Sequence, residues 1–158
     1  MLIKRLELPV KFKSFYKQFK NKSFKLLDVG CGNHSPKVTK NYFPNCEYYG
    51  IDKQLYNLNN EDLSLMKKFY NFELTPENLK EIPDNFFDVI IMNHIIEHLQ
   101  NGLEILSILT KKLKSSGYLY IEYPSPKSLT LPSLNGTLHF CDDPTHVKLY
   151  HLIDIVNT

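Results

Sequence analysis

Leu26-Leu27-Asp28-Val29-Gly30-Cys31-Gly32-Asn33 is an apolar run that ends in an acid and two alternate glycines. Such a run reads as a buried strand opening into a tight turn. Gly30 and Gly32 carry no Cβ, so a ligand can lie against the backbone where a parallel strand turns toward its helix. About twenty residues on, Cys46-Glu47-Tyr48-Tyr49-Gly50-Ile51-Asp52 reads as a second strand that also ends in an acid. In a strand-helix-strand unit, Asp52 then stands beside the glycine turn and can accept hydrogen bonds from a ribose.

The remaining elements follow the same rhythm. Phe24 to Val29 is the first strand, and Ser35 to Asn41 allows a short helix that Pro44 ends. Asn59 to Lys68 predicts a second short helix behind a polar start, and Lys68 to Leu74 a third strand. Phe86 to Met92 is apolar apart from Asp88, as a central parallel strand buried on both faces requires. Leu103, Leu106, Leu109 and Leu113 give Asn101 to Lys114 a helical stripe, with Ser115-Ser116-Gly117 as its stop signal and Tyr118 to Tyr123 as a fifth strand. Strands alternating with helices imply an α/β fold, an open, mostly parallel Rossmann-like sheet with helices on both faces. Ligands of such sheets bind at the carboxyl ends of the strands.

The 158 residues predict a single domain, divided into a basic amphipathic helix (1–23), a cofactor-binding core (24–123) and an acceptor-side segment (124–158). Residues 1–25 hold eight Lys or Arg against the single acid Glu7, so a chain of net charge +2 carries about −5 over the rest. A basic arm of this kind could touch nucleic acid, anionic lipid or an acidic partner. Phe12, Phe15, Tyr16 and Phe19 at helical spacing equally describe a helix that lays an aromatic face on the domain. The most apolar stretches fall well short of the roughly 20 residues of a membrane span. No secretory signal is read at the N-terminus, and a cytoplasmic location is the expectation. Cys31, Cys46 and Cys141 are odd in number and form no C-x-x-C pair, which predicts free thiols.

Two adenosine-containing cofactors suit the layout, a nicotinamide dinucleotide and S-adenosylmethionine. The dinucleotide fingerprint wants a third glycine, where this chain has Asn33-His34-Ser35 after Gly32. The residues resemble instead the class I S-adenosylmethionine-dependent methyltransferases of the small-molecule type, over Leu26 to about Tyr123 and, more weakly, Asp142 to Val156. That family ends its first strand acid-x-Gly-x-Gly-x-Gly, matched here by Asp28, Gly30 and Gly32, with His34 in the place of the third glycine. The resemblance implies that Gly30 and Gly32 border the methionine part of the cofactor, that Asp28 helps to position it, and that Asp52 is the ribose acid. It places Glu73 near the adenine and makes Asn93 and His94 flank the cofactor.

Transfer of a methyl group from a sulfonium is an in-line displacement, and a base is needed only where the acceptor must lose a proton. His94, His98, His139 and His146 can accept one near neutral pH. His98 is expected to cap or pack. His146, in Asp143-Pro144-Thr145-His146-Val147, resembles a segment that lines the acceptor side in small-molecule and sugar methyltransferases, and is the candidate catalytic residue. His139, Cys141, Asp142, Asp143 and His146 match no structural zinc spacing, so no metal is expected. After the fourth strand the chain reads Asn93-His94-Ile95-Ile96, unlike the Pro-Pro-aromatic segment of base amino-methyltransferases. That disfavours nucleic acid and points to a small metabolite, sugar, lipid precursor or peptide. Family members also continue past the fifth strand into two further strands, whereas this chain stops at Thr158, which predicts a fold shortened at that end with the fifth strand as an edge. A homodimer or a partner chain at that edge, and a non-catalytic cofactor-binding subunit that supports a partner enzyme, are the corresponding alternatives.

Overall fold

The computed structural model describes residues 7–134 and 138–158. Its centre is a five-stranded sheet built from β1 (Phe24–Val29), β2 (Cys46–Asp52), β3 (Met66–Asn71), β4 (Phe87–Asn93) and β5 (Leu113–Glu122), every pair parallel, in the order β3-β2-β1-β4-β5. The order reverses between β1 and β4, and a crevice opens there at the strands' carboxyl ends. Strand residues alternate between the two faces. Leu27, Val29, Ile51, Ile90 and Met92 pack on one side with Leu79, Ile82, Ile105, Leu106 and Leu109. Phe24, Leu26, Tyr48, Val89 and Ile91 pack on the other with Phe12, Phe15, Phe19 and Phe43. The sheet is therefore covered on both faces, as an all-parallel sheet must be.

The helices are α1 (Tyr16–Phe19), α2 (Ser35–Tyr42), α3 (Asn60–Ser64), α4 (Gly102–Lys112) and α5 (Leu152–Val156). One expectation is corrected at the N-terminal arm. Instead of a continuous amphipathic helix over 1–23, there is a 3-10 turn at Val10–Phe12 and the single turn of α1; residues 1–6 lie outside the described residues. No acid lies between Leu8 and Lys25, so no charge pairs along the arm support a longer helix. Aromatic packing decides its path: Phe15 stacks on Phe43 with ring centres 5.4 Å apart, and Phe19 on Phe24 at 4.5 Å. The arm thus lies on the domain as the aromatic spacing implies.

Two strand boundaries also move. β3 ends at Asn71, where its side-chain amide donates to the Asp52 carbonyl at 3.1 Å, and Phe72 to Leu74 leave the sheet. β5 starts directly after α4, because Ser115-Ser116-Gly117 form a bulge and not a loop: the register jumps from Phe87 opposite Leu113 to Val89 opposite Tyr118. Lys114 pins the bulge by an ion pair to Asp88 at 2.7 Å. α3 opens with a reciprocal cap, Asn59 Oδ1 accepting from the Asp62 N–H and Asp62 from that of Asn59. The C-terminal segment returns to the sheet through buried Tyr150, whose hydroxyl donates to the Leu99 carbonyl at 2.5 Å and accepts from the Gly102 N–H at 3.0 Å. Among the described residues no helix is long and apolar enough to cross a membrane, and β5 forms one edge of the sheet.

Candidate active site

At the end of β1 the Gly30 and Cys31 N–H groups both donate to the Ile51 carbonyl, at 2.8 and 3.2 Å, which ties the glycine turn to β2. Gly30 has φ +78°, and a Cβ there would stand 2.6 Å from Ile95 Cγ1. A Cβ on Gly32 would stand 2.8 Å from the Tyr56 carbonyl oxygen. Both glycines are thus required by close approach of the chain itself as well as by space for a ligand. Asn33 and His34 follow at φ +53° and +55°, so the residue in the third-glycine position keeps a left-handed, glycine-like backbone. Two bonds from the loop after β2 hold them there: Asn33 N–H to the Tyr56 carbonyl at 3.0 Å and His34 N–H to that of Asn57 at 3.2 Å. The His34 ring also meets Asp62 at 2.6 Å, joining the start of α2 to α3.

Asp28 is buried, and its Oδ2 accepts from the Ser35 hydroxyl at 2.5 Å and the Tyr48 hydroxyl at 2.6 Å. The burial of Tyr48 and the adjoining Asp28 charge push that phenol well above its ordinary pKa. Lys11, from the basic arm, reaches Ser35 Oγ at 3.1 Å. A cation therefore stands at the mouth of the glycine turn, a placement that a sequence separation of 24 residues hid from sequence reading.

These groups open on a cleft of about 1020 Å³ at the carboxyl ends of the strands. Its lining brings together Asp28, Gly30, Gly32, Asp52, Glu73, Asn93 and His94, all seven of the residues expected to hold the cofactor. Ile51, Phe72, Leu74 and Ile95 supply apolar wall between them. Asp52 stands at the tip of β2, with Oδ1 accepting from the Gln54 N–H at 3.3 Å. His94, at φ +53°, is anchored by its N–H to the Glu122 carbonyl at 2.8 Å, and its ring lies 3.2 Å from Glu97 and 3.5 Å from Glu122. The hydrogen bond to Glu97 raises the imidazole above its usual pKa.

His146 is placed differently from its expected role. It does not line the cleft; its side chain is 12% exposed, with Nδ1 donating to the Phe140 carbonyl at 2.7 Å. His98, Asp143 and Thr145 line the cleft instead. The reason is the pairing of Val147 N–H and Lys148 N–H with the Glu97 carbonyl, which turns His146 inward and leaves Thr145 at the surface. Contacts between residues 50 and 51 apart in sequence decide this, and the short motif around His146 carries no sign of them.

The cleft suits a nucleoside bearing an amino acid. Apolar walls can take a base, Asp52 a pair of hydroxyls, and Lys11 beside the glycine turn a carboxylate. A parallel sheet with an acid-bounded glycine turn and a second-strand acid defines a nucleotide-cofactor fold of the Rossmann-like class.

Comparison with known proteins gives the family. The family model described as "Methyltransferase domain" matches residues 3–157, and the chain belongs to that family. An uncharacterized methyltransferase of Schizosaccharomyces pombe is 30% identical over 112 residues, 65% of this chain and 40% of that protein. Among solved structures, a SAM-dependent methyltransferase from Archaeoglobus fulgidus is 27% identical with a TM-score of 0.65, covering 93% of this chain and 63% of that one. Another from Aquifex aeolicus is 30% identical with a TM-score of 0.52, covering 74% and 65%. The chain spans less than half the length of the curated relatives it matches. The fold is that of class I S-adenosylmethionine-dependent methyltransferases, and S-adenosylmethionine is the family's cofactor.

Proposed function

We propose that this chain transfers a methyl group from S-adenosylmethionine to a small-molecule, sugar or lipid-precursor acceptor. The observation that carries the reading is the convergence of Gly30, Gly32, Asp52, Glu73, Asn93 and His94 on one cleft from the ends of four strands. Bound there, the cofactor supplies an electrophilic sulfonium methyl. Asp52 accepts hydrogen bonds from its ribose, Gly30 and Gly32 admit its amino-acid part, and Lys11 balances its carboxylate. Asp28 acts through Ser35 and Tyr48, fixing the turn rather than reaching the ligand with both oxygens. Ile95 and Leu99 exclude water from the reacting end, and an acceptor entering the cleft meets His98, Asp143 and Thr145. The absence of a Pro-Pro-aromatic segment after Asn93 supports an acceptor other than a base amine.

The test is a thermal-shift comparison of S-adenosylmethionine, S-adenosylhomocysteine and NAD. A rise with the first two alone supports the reading; a rise with NAD alone sinks it. One feature favours a second reading, a cofactor-binding subunit completed by another chain. β5 is a sheet edge, and Leu152, Ile153 and Val156 of α5 are exposed. Methyl transfer that appears only when a copurifying protein is added would select it.

A further inference from the structure

Glu97 is 1% exposed, yet it is a carboxylate. Its Oε1 faces the His94 ring, while its Oε2 is buried and has no hydrogen-bond partner among the described residues. Desolvating a carboxylate oxygen with nothing to bind it is unfavourable unless a cation compensates. Two imidazoles face the same carboxylate. Glu97, His98 and His146 each bring one ligand atom within 4.8 Å of the other two, and the two rings lie 4.9 Å apart.

The hydrogen bonds fix which nitrogen of each ring is free to bind. His146 Nδ1 lies 2.7 Å from the Phe140 carbonyl, which can only accept, so Nδ1 carries the proton. His98 Nδ1 lies 3.1 Å from the Thr145 carbonyl and 3.0 Å from the Thr145 hydroxyl oxygen. That hydroxyl gives its own proton to Asp143 Oδ1 at 2.5 Å, so toward His98 it too accepts. With Nδ1 as the donor, each ring has Nε2 left to bind, and His146 Nε2 lies 4.0 Å from Glu97 Oε1 and 3.8 Å from Asp143 Oδ2. An imidazole that donates Nδ1–H to a carbonyl oxygen and turns Nε2 toward a carboxylate, as His146 does, has the outer-shell arrangement of a metal ligand.

We infer that Glu97, His98 and His146 form a binding site for a divalent first-row transition ion. Two imidazole nitrogens and one carboxylate oxygen suit zinc, iron, cobalt or manganese better than calcium or magnesium. Three donors no more than 4.8 Å apart lie within about 2.8 Å of a common point, and metal–ligand bonds are about 2.0–2.2 Å long, so the trio closes on an ion with each donor moving under about an ångström. The open side of the site faces the cleft, which His98 helps to line. An acceptor oxygen could complete the coordination there; that consequence rests on the methyl-transfer reading, whereas the site itself does not.

The test uses the full chain, freed of metal with a chelator and titrated with Co²⁺ followed by visible absorption, then with Zn²⁺ by calorimetry, with no cofactor present. The expected result is one ion per chain with a visible cobalt spectrum. Glu97→Gln keeps the side chain's shape, and His98→Gln changes a half-buried residue that a folded chain tolerates. Each should weaken binding at least about tenfold, with circular dichroism confirming the fold. A His139→Gln, His151→Gln double variant should bind as the parent does. Absence of saturable binding, unchanged affinity in His98→Gln, or loss of binding in the His139/His151 variant would overturn the assignment.

Discussion

Replacing Gly30 by Ala tests the geometry of the glycine turn most sharply. At φ +78° an L-residue loses about 1–2 kcal/mol of backbone energy. The new methyl would also stand 2.6 Å from Ile95 Cγ1, and relieving that overlap pushes Ile95 off its rotamer or shifts the turn, at about 1–3 kcal/mol. The stiffer unfolded chain returns about 0.4–1 kcal/mol. The net loss is then about 1–4.5 kcal/mol, or a Tm lower by roughly 2–18 °C at this size. Urea unfolding followed by circular dichroism measures it in Gly30→Ala, Ile95→Ala and the double variant. Because Ile95→Ala removes Cγ1 and Cδ1, the steric part should vanish in the double variant and appear as a coupling energy of about 1–3 kcal/mol. A single-variant loss below about 1 kcal/mol, or strict additivity, refutes the argument.

Tyr48→Phe removes a buried donor from the Asp28 carboxylate and should cost about 1.5–3 kcal/mol by the same assay; a change near zero would mean that the bond carries no stability. Burial pushes the Cys31 thiol up and that of Cys46 to about 12, while Cys141 is exposed, so a disulfide reagent should titrate one thiol in the native chain and three in denaturant. Burial alone would raise Asp62, but hydrogen bonds from His34 and the Asn59 N–H outweigh it and hold the carboxyl below its ordinary 3.8. A depressed folded pKa stabilises the chain above the unfolded value, and this contribution fades as the pH falls below about 4 and through the folded pKa. Stability measured between pH 6 and pH 3 should therefore drop less in Asp62→Asn than in the parent, and an equal drop would contradict the assigned cause.

The parts of the molecule legible from the chain are those fixed by local pattern. β1 and β2 coincide with the apolar runs that end at Val29 and Asp52, because a central parallel strand must be apolar on both faces. β3 has exposed Lys67 and Lys68 on an edge, which weakened its pattern and let its predicted span slide toward Leu74. Ser115-Ser116-Gly117 carries turn chemistry, and that chemistry serves a bulge inside β5. In the cleft, the glycines, Asp52 and the residues after β4 lie at strand ends and were readable by position. Lys11 and Tyr56 reach it from distant segments and were not, whereas Thr145 belongs to the segment expected on the acceptor side. Glu97 and His98 likewise meet His146 through the pairing of Val147 and Lys148 with the Glu97 carbonyl and of His98 with Thr145, so a search by spacing among His139, Cys141, Asp142, Asp143 and His146 could not find the trio.

Isothermal titration of the purified chain with S-adenosylhomocysteine, beside Asp52→Ala, tests the central claim most directly. One site per chain, weakened at least about tenfold (1.4 kcal/mol) by the substitution, is the result the account predicts. No binding by the folded parent, or binding indifferent to Asp52, would contradict it.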